Sequence, residues 1–412
     1  AGVSINAIFS ENGIIKRAKD AQNKMDEATQ NDLDSINELN NWIDGKTNGT
    51  TGGNTTGGNT TGGNTTLKSY EEAGKDANNN GVLTENATYT DSEKTTVTIP
   101  KGFKVSDVAK TEDTDGEQTV STGLVIQDAN GNEFVWVPVN YTATGTLDDD
   151  GLDSGFKDTF KRSTTSSSCT EPYASGYGEN GAEEKSDYLK MMKSVQKNKG
   201  FYIGRYEAGT IKPRTSSTTG ISEVVVKRDA YPYIYVKWGD SMNTVGNVGA
   251  VYLSKHMYDK KDIGATSTLC YGVQWDAAMK FVADSTHSTS NSISWGNYIN
   301  NAWTIDRTTA SYTDSTNVAT GSWTKITSNK SNTNSESILL TTGASDTFKV
   351  KNIFDLAGNV WEWTMEAYSS SNRVLRGGSY NGSGSDYPAS FRGTYSPASS
   401  YDGICFRSAL YL

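Results

Sequence analysis

Near the end of the chain runs Asn352-Ile-Phe-Asp-Leu-Ala-Gly-Asn-Val-Trp-Glu-Trp-Thr364. It is followed by Arg373-Val-Leu-Arg-Gly-Gly-Ser-Tyr380, and the last residues close around Cys405-Phe-Arg407. Read as a strand, Trp361-Glu-Trp363 alternates, with two indoles facing one way and the Glu362 carboxylate the other. Large rings sharing a face belong to a core, so this stretch is expected to carry the main apolar packing. Gly377-Gly378 suits a place where the backbone approaches another element closely. Arg376 and Arg407 stand beside core-like residues, which implies buried ion pairs with acids.

Working outward, short strand-like runs recur at Phe134–Pro138, Phe201–Arg205 and Tyr231–Lys237. Helices are few. One is expected over Trp275–Ala283, with Trp275, Met279 and Val282 on one face, and another over Asp187–Val195. Long Ser/Thr/Gly/Asn loops are read at 160–182 and 308–345. The mixture predicts an α+β domain with long loops over residues 123–412. A small β-rich preface is read over 67–122, from Val97–Pro100 and from Phe103 and Val105. Within it, Asp76, Asn78, Asn80 and Gly81 match half of a calcium loop, but Ala87 stands where the closing glutamate belongs, so an Asn/Gly turn is expected.

Residues 1–46 read as an amphipathic helix, with Ile14, Ala18, Ala21, Met25, Ala28, Ile36, Leu39 and Ile43 near one stripe. Asp44-Gly45 supplies a stop. The helix either packs on its own domain or serves an assembly. Its first residues, Ala1–Ala18, resemble the tail of a type IV pilin-like leader helix of Gram-positive bacteria, in which an apolar membrane segment lies immediately upstream. That resemblance implies an exported, cell-surface protein. Residues 47–66 repeat Gly-Gly-Asn-Thr-Thr three times and contain no apolar side chain, so a flexible linker is expected there.

The 412 residues carry 38 Lys plus Arg against 48 Asp plus Glu, a net charge of −10. That balance argues against nucleic acid and against anionic lipid as partners. No run of about 18 apolar residues occurs that could span a bilayer. The two histidines, His256 and His287, are too few for a multi-His metal centre. The three cysteines, Cys169, Cys270 and Cys405, match no zinc spacing and make no disulfide framework, although one incidental bridge stays open.

Together, the Asn352–Thr364, Arg373–Tyr380 and Cys405–Arg407 blocks resemble the formylglycine-generating enzyme (sulfatase-modifying factor) family. Phe134–Pro138, Phe201–Glu207 and Val273–Ala277 match earlier family blocks in the same order. The resemblance covers roughly 123–412 and implies a C-type-lectin-like fold. It also implies a structural calcium at the positions matching Asp355, Gly358, Val360 and Glu362, two through side chains and two through backbone carbonyls. Hard carboxylate oxygens suit that ion. Copper is not expected. Family enzymes use two active-site thiols between the Gly-Gly-Ser-Tyr block and the final Phe-Arg, and here Asn381–Gly403 contains no cysteine. A copper(I) site selects thiolates, and Cys405, where the family has glycine, is one thiol and not a pair. The chain is therefore read as a non-enzyme.

The interval 381–403 is rich in Tyr, Ser, Gly, Asp and Ala, a paratope-like composition. Lys, Glu, Gln, Met and Trp are all absent from it. These five make up roughly one residue in six of the chain, so chance absence is on the order of 1–2% by composition. They are the residues whose codons end only in a purine. Their absence is what randomising the adenines of pyrimidine-ending asparagine codons produces. In placement and alphabet the segment resembles the variable region of diversity-generating-retroelement variable proteins, which use this lectin-like fold.

The expected function is a surface-displayed binding protein of adhesin or receptor type. Its ligand, a protein or other macromolecule, would meet Asn381, Ser383, Ser385, Asp386, Tyr387, Ser390, Phe391, Tyr395, Ser396, Ser399, Tyr401 and Asp402. The alternative is a structural pilin-like subunit with the lectin-like domain as decoration, joined to a pilus or surface assembly through the N-terminal helix. A formylglycine-generating oxidase ranks last.

Overall fold

A computed structural model describes residues 67–112, 118–163, 169–171, 181–239, 249–333, 335–369 and 371–412. The expected helix over 1–46 and the linker over 47–66 lie outside the described residues, as does much of the 160–182 loop.

Apolar runs become the centre of a six-stranded antiparallel sheet. Its order is Phe103–Val105, Val125–Asp128, Glu133–Pro138, Gly200–Gly204, Ser408–Tyr411 and Thr266–Leu269. Glu133–Pro138 and Gly200–Gly204 are buried on both faces, which is why they read as continuous apolar runs and not as alternation. Gly200 is required there, because a Cβ would stand 2.3 Å from Cζ2 of Trp136. The C-terminal strand enters between Gly200–Gly204 and Thr266–Leu269, so the end of the chain completes the core.

A four-stranded sheet lies beside it in the order Gly393–Tyr395, Arg373–Arg376, Trp361–Ala367 and Ile404–Phe406. Trp361–Ala367 pairs antiparallel with Arg373–Arg376 and parallel with Ile404–Phe406. The chain then crosses into the larger sheet at Arg407. Fully buried there, Arg407 donates to Glu362 and to the carbonyls of Gly204 and Phe354, which ties the two sheets together.

The two expected helices form, and shorter unexpected ones stand at Ser154–Thr159 and Ala250–Lys255. Gly181–Asn198 contains the 187–195 run, and Gly272–Val282 buries Trp275, Met279 and Val282. Asn78 Oδ1 accepts from the N–H groups of Asn80 and Val82, the expected turn.

Four expectations change. The 67–122 preface is not a separate unit, because Phe103–Val105 pairs with Val125–Asp128 across the proposed boundary. Tyr231–Lys237 is a strand only at Tyr231–Pro232, since Tyr235 turns to a φ of 56° and ends the extended run. The 308–345 loop holds strands Ser311–Asp314, Thr324–Lys325, Lys330–Thr333 and Ile338–Leu340. They cover a small core of their own that includes Trp303, Ile305, Ile326 and Phe348. Short Ser/Thr/Asn-rich strands carry too few apolar residues to show a period. All three cysteines are free and buried, so the one bridge left open does not form. Lastly, Trp363 and Glu362 are both fully buried while Trp361 is only half-buried, because the strand starts at the surface and runs inward between covered faces.

Candidate ligand-binding face

Residues 381–403 span from the Arg373–Arg376 strand to the Ile404–Phe406 strand, so both ends are clamped in one sheet. Between the ends, the backbone is pinned to fixed elements. Trp275 Nε1 donates to the Ala389 carbonyl at 3.0 Å, and Ala389 N–H donates to Ser292 Oγ at 3.0 Å. Ser292 N–H donates to the Gly384 carbonyl and Gly384 N–H to Asn300 Oδ1, Trp238 N–H donates to the Pro397 carbonyl, and Tyr235 N–H donates to that of Tyr401. At Gly378 a Cβ would stand 2.3 Å from the Tyr387 carbonyl, with φ at 77°, so the expected close approach is made to this segment.

The buried residues of the segment are Gly384, Pro388, Ala389, Pro397 and Gly403. All twelve residues expected to meet ligand are exposed or half-buried. Tyr387, Phe391, Tyr395 and Tyr401 are 41%, 37%, 46% and 51% exposed. Tyr387 and Phe391 meet edge to face with centroids 5.2 Å apart, and Tyr395 and Tyr401 at 5.6 Å. A groove of about 470 Å3 joins the two pairs and is lined by Asn381, Tyr387, Phe391 and Tyr395, with Trp361, Leu375 and Ser379 from the scaffold. Ser383, Ser385, Asp386 and Ser390 lie outside its lining; Ser383 Oγ bonds Asn300, and Ser390 N–H donates to the Thr289 carbonyl. Ser396, Ser399, Tyr401 and Asp402 also lie outside the lining, and Asp402 accepts from Tyr380.

Two residues of this face escape sequence reading. Trp361 was assigned to the core, yet its indole lies 5.6 Å from the Tyr387 ring and 6.0 Å from Phe391. Arg392 also lines the groove but points its charge inward. Its Nε donates to Glu366 Oε1 at 2.8 Å and its Nη2 to Asp276 Oδ2 at 2.5 Å. Arg376 reaches the same two acids at 3.3 and 2.6 Å. Burial alone would raise Asp276, but Arg376 and Arg392 outweigh it and hold the carboxyl below its ordinary value. The signal for Arg392 was there: it is the one cation in an otherwise neutral or acidic segment. Arg162 extends the cluster to Glu366, with Glu171 behind it. Burial, with repulsion from Glu366, pushes Glu171 up to about 8.

Asp355 and Glu362 are buried, and Glu362 accepts from Arg407 Nε at 3.1 and 2.8 Å and from Nη2 at 2.5 Å. Asp355 Oδ2 accepts from Gly343 N–H at 2.7 Å. Glu207 joins them, accepting from Asn359 Nδ2 at 2.7 Å and Val360 N–H at 3.2 Å. Burial, with repulsion from Asp355 and Glu362, drives Glu207 well above the carboxylate range, and burial pushes Asp355 up to about 6. As folded, Asp355, Gly358, Val360 and Glu362 do not fit a calcium cage, because a guanidinium occupies both oxygens of Glu362. Among the described residues no group of three or more His, Cys, Asp or Glu is arranged to hold a metal ion.

The thiol chemistry is equally plain. Cys405 is fully buried and donates to the Ala208 carbonyl at 3.1 Å. Burial drives it well above its ordinary value, and Cys270 is pushed up likewise. Both thiols are held protonated, the form that neither attacks nor ligates.

Residues 185–411 match the family model described as the sulfatase-modifying factor enzyme 1-like domain. That match covers the face, the four-stranded sheet and the C-terminal part of the six-stranded one, and it bears out the expected α+β, C-type-lectin-like fold. No curated protein matches the chain. Among solved structures, Treponema denticola variable protein 1 is similar over 79% of this chain and 99% of that chain, at 17% identity and a TM-score of 0.24.

Proposed function

We propose that this chain, which belongs to the sulfatase-modifying factor enzyme 1-like family, is a non-catalytic binding protein whose diversified ligand site is the 381–403 face. One observation carries the reading. Of the five exposed aromatic side chains among the described residues, Tyr387, Phe391, Tyr395 and Tyr401 lie in this one segment, and only Tyr368 lies outside it. Exposed rings in a Ser/Gly setting supply contact area at low entropy cost, and pinning the backbone beforehand lowers the cost of ordering it on binding. The groove is of a size to take a projecting side chain or loop tip, with the rings as anchors. The ligand is a protein or other macromolecule met at the cell surface.

The residue alphabet of the segment supports diversification at adenines of a template, and the burial pattern supports placing it at the twelve exposed or half-buried positions. The test is to sequence the coding region from many sister copies of the gene. Substitutions are expected within the codons for the twelve side chains of the face, at the positions where an asparagine-codon template carries adenine, leaving Gly384, Pro388, Ala389, Pro397 and Gly403 constant. Substitutions scattered evenly over the domain would overturn the reading.

A further inference from the structure

Beside the Tyr401 end of the face lies a second, smaller cavity of about 240 Å3, lined by Arg214, Ser217, Thr218, Thr219, Gly220, Ile221, Tyr233, Tyr235 and Lys237. Two cations and five hydroxyl groups line it, and no carboxylate does. That is unusual in a chain of net charge −10.

Arg214 is the informative member. It is only 5% exposed, yet its partners are all neutral. Nε donates to the Ile234 carbonyl at 2.9 Å and Nη1 to that of Gly220 at 2.8 Å. Nη2 donates to the carbonyls of Thr219 and Tyr235, and the guanidinium lies 4.5 Å from the Tyr233 ring centre. By contrast, three other buried arginines, Arg205, Arg376 and Arg407, each meet a carboxylate. The cavity lined by Arg228 and Arg307 is no parallel either, because those cations pair with Asp346 and Asp229. Among the described residues no carboxylate pairs with Arg214 or with Lys237. A buried cation without a counter-charge is costly, and carbonyl dipoles replace only part of its hydration.

Donors remain to be used. A guanidinium has five N–H groups, and the four bonds above leave one Nη1 proton free. Lys237 brings three more, and the hydroxyls of Ser217 and Tyr235 also line the space. Burial raises the Tyr235 phenol, so it stays a donor.

We propose that this cavity binds an oxyanion, a sulfate or a carboxylate group, between Lys237 and Arg214 with Ser217, Thr218 and Tyr235 completing the donor set. Because Tyr235 N–H also donates to the Tyr401 carbonyl at 3.0 Å, the site borders the ligand face and would read an anionic group on the same ligand. The site stands without that ligand, so its test is separate from the test of the face.

The experiment is titration of the full chain with sodium sulfate and, in a second arm, sodium acetate, each against sodium chloride at matched ionic strength. Saturable binding by calorimetry is expected in at least one arm, and the arm that saturates identifies the anion chemistry. Arg214 clamps its own loop, so replacing it risks the fold; half-buried Lys237 is the better probe. Lys237→Met should weaken binding about tenfold, the size of one charge-assisted hydrogen bond, with an unchanged thermal transition. No saturation in either arm, or equal affinity in Lys237→Met, would overturn the proposal.

Discussion

Trp361, on the fixed strand, stands edge-on to Tyr387, in the exposed segment, with ring centroids 5.6 Å apart. The groove therefore joins a permanent indole to side chains whose identity the fold does not dictate. Rings that touch chiefly one another and solvent contribute little to folding. Tyr387→Ser, Tyr395→Ser and Tyr401→Ser combined should leave the denaturation midpoint nearly unchanged, since exposed positions usually stay within about 0.5 kcal/mol each. Trp363→Ala, two residues beyond Trp361 but fully buried with Nε1 on the Val236 carbonyl, should cost about 3–5 kcal/mol. Chemical denaturation measures both, and a large loss in the triple variant would make the segment scaffold.

Arg392 behaves as scaffold although it sits in the segment. Arg392→Met removes one partner of a buried cluster and leaves Glu366 and Asp276 to Arg376 and Arg162. A destabilisation of about 3 kcal/mol is expected, as for breaking a buried pair. Hydrogen exchange should quicken in the Gly393–Tyr395 strand, whose position Arg392 holds. Unchanged stability and exchange would show that the charge is dispensable.

Glu171 sets a pH dependence. Its folded value is raised to about 8 from an ordinary 4.5, so the folded chain keeps a proton that the unfolded chain loses. The stabilisation is complete below about pH 4.5 and is lost as pH rises to about 8. Glu171→Gln should flatten the stability profile over that window and make the protein more stable than the parent at pH 8. Parallel profiles for the two proteins would contradict the shift.

Calcium chelation tests the buried carboxylates near Arg407. With Glu362 engaged by Arg407, the thermal transition should be the same with and without chelator, because a ligand stabilises only in so far as the native state binds it. A fall on chelation would mean that Glu362 exchanges Arg407 for the ion.

Much of this fold is legible from local pattern. The Glu133–Pro138 and Gly200–Gly204 strands, the Trp275 face of its helix, the close approach at Gly378 and the buried pairs of Arg376 and Arg407 each follow from side-chain size or charge. The exposure of the twelve face residues was legible from the absence of any apolar period. What stayed hidden depends on distant partners. Arg392 meets Asp276 from 116 positions away. Phe103–Val105 joins a sheet that nothing nearby announces, and the ring partners of Trp361, Tyr387 and Phe391, come from beyond the next strand. The cavity around Arg214 and Lys237 was likewise invisible, since the lack of a counter-ion is a property of the folded chain.

The most direct measurement is a library in which the twelve face positions are randomised together with pyrimidine-ending codons, displayed and sorted for folding by protease resistance. Most members should fold with midpoints close to the parent, because those side chains are exposed or half-buried while the buried positions Gly384, Pro388, Ala389, Pro397 and Gly403 are kept. A second library, randomised at those five pins, should fold rarely. If the twelve-position library collapses as often as the five-position one, the segment is part of the core and cannot be a diversified binding face.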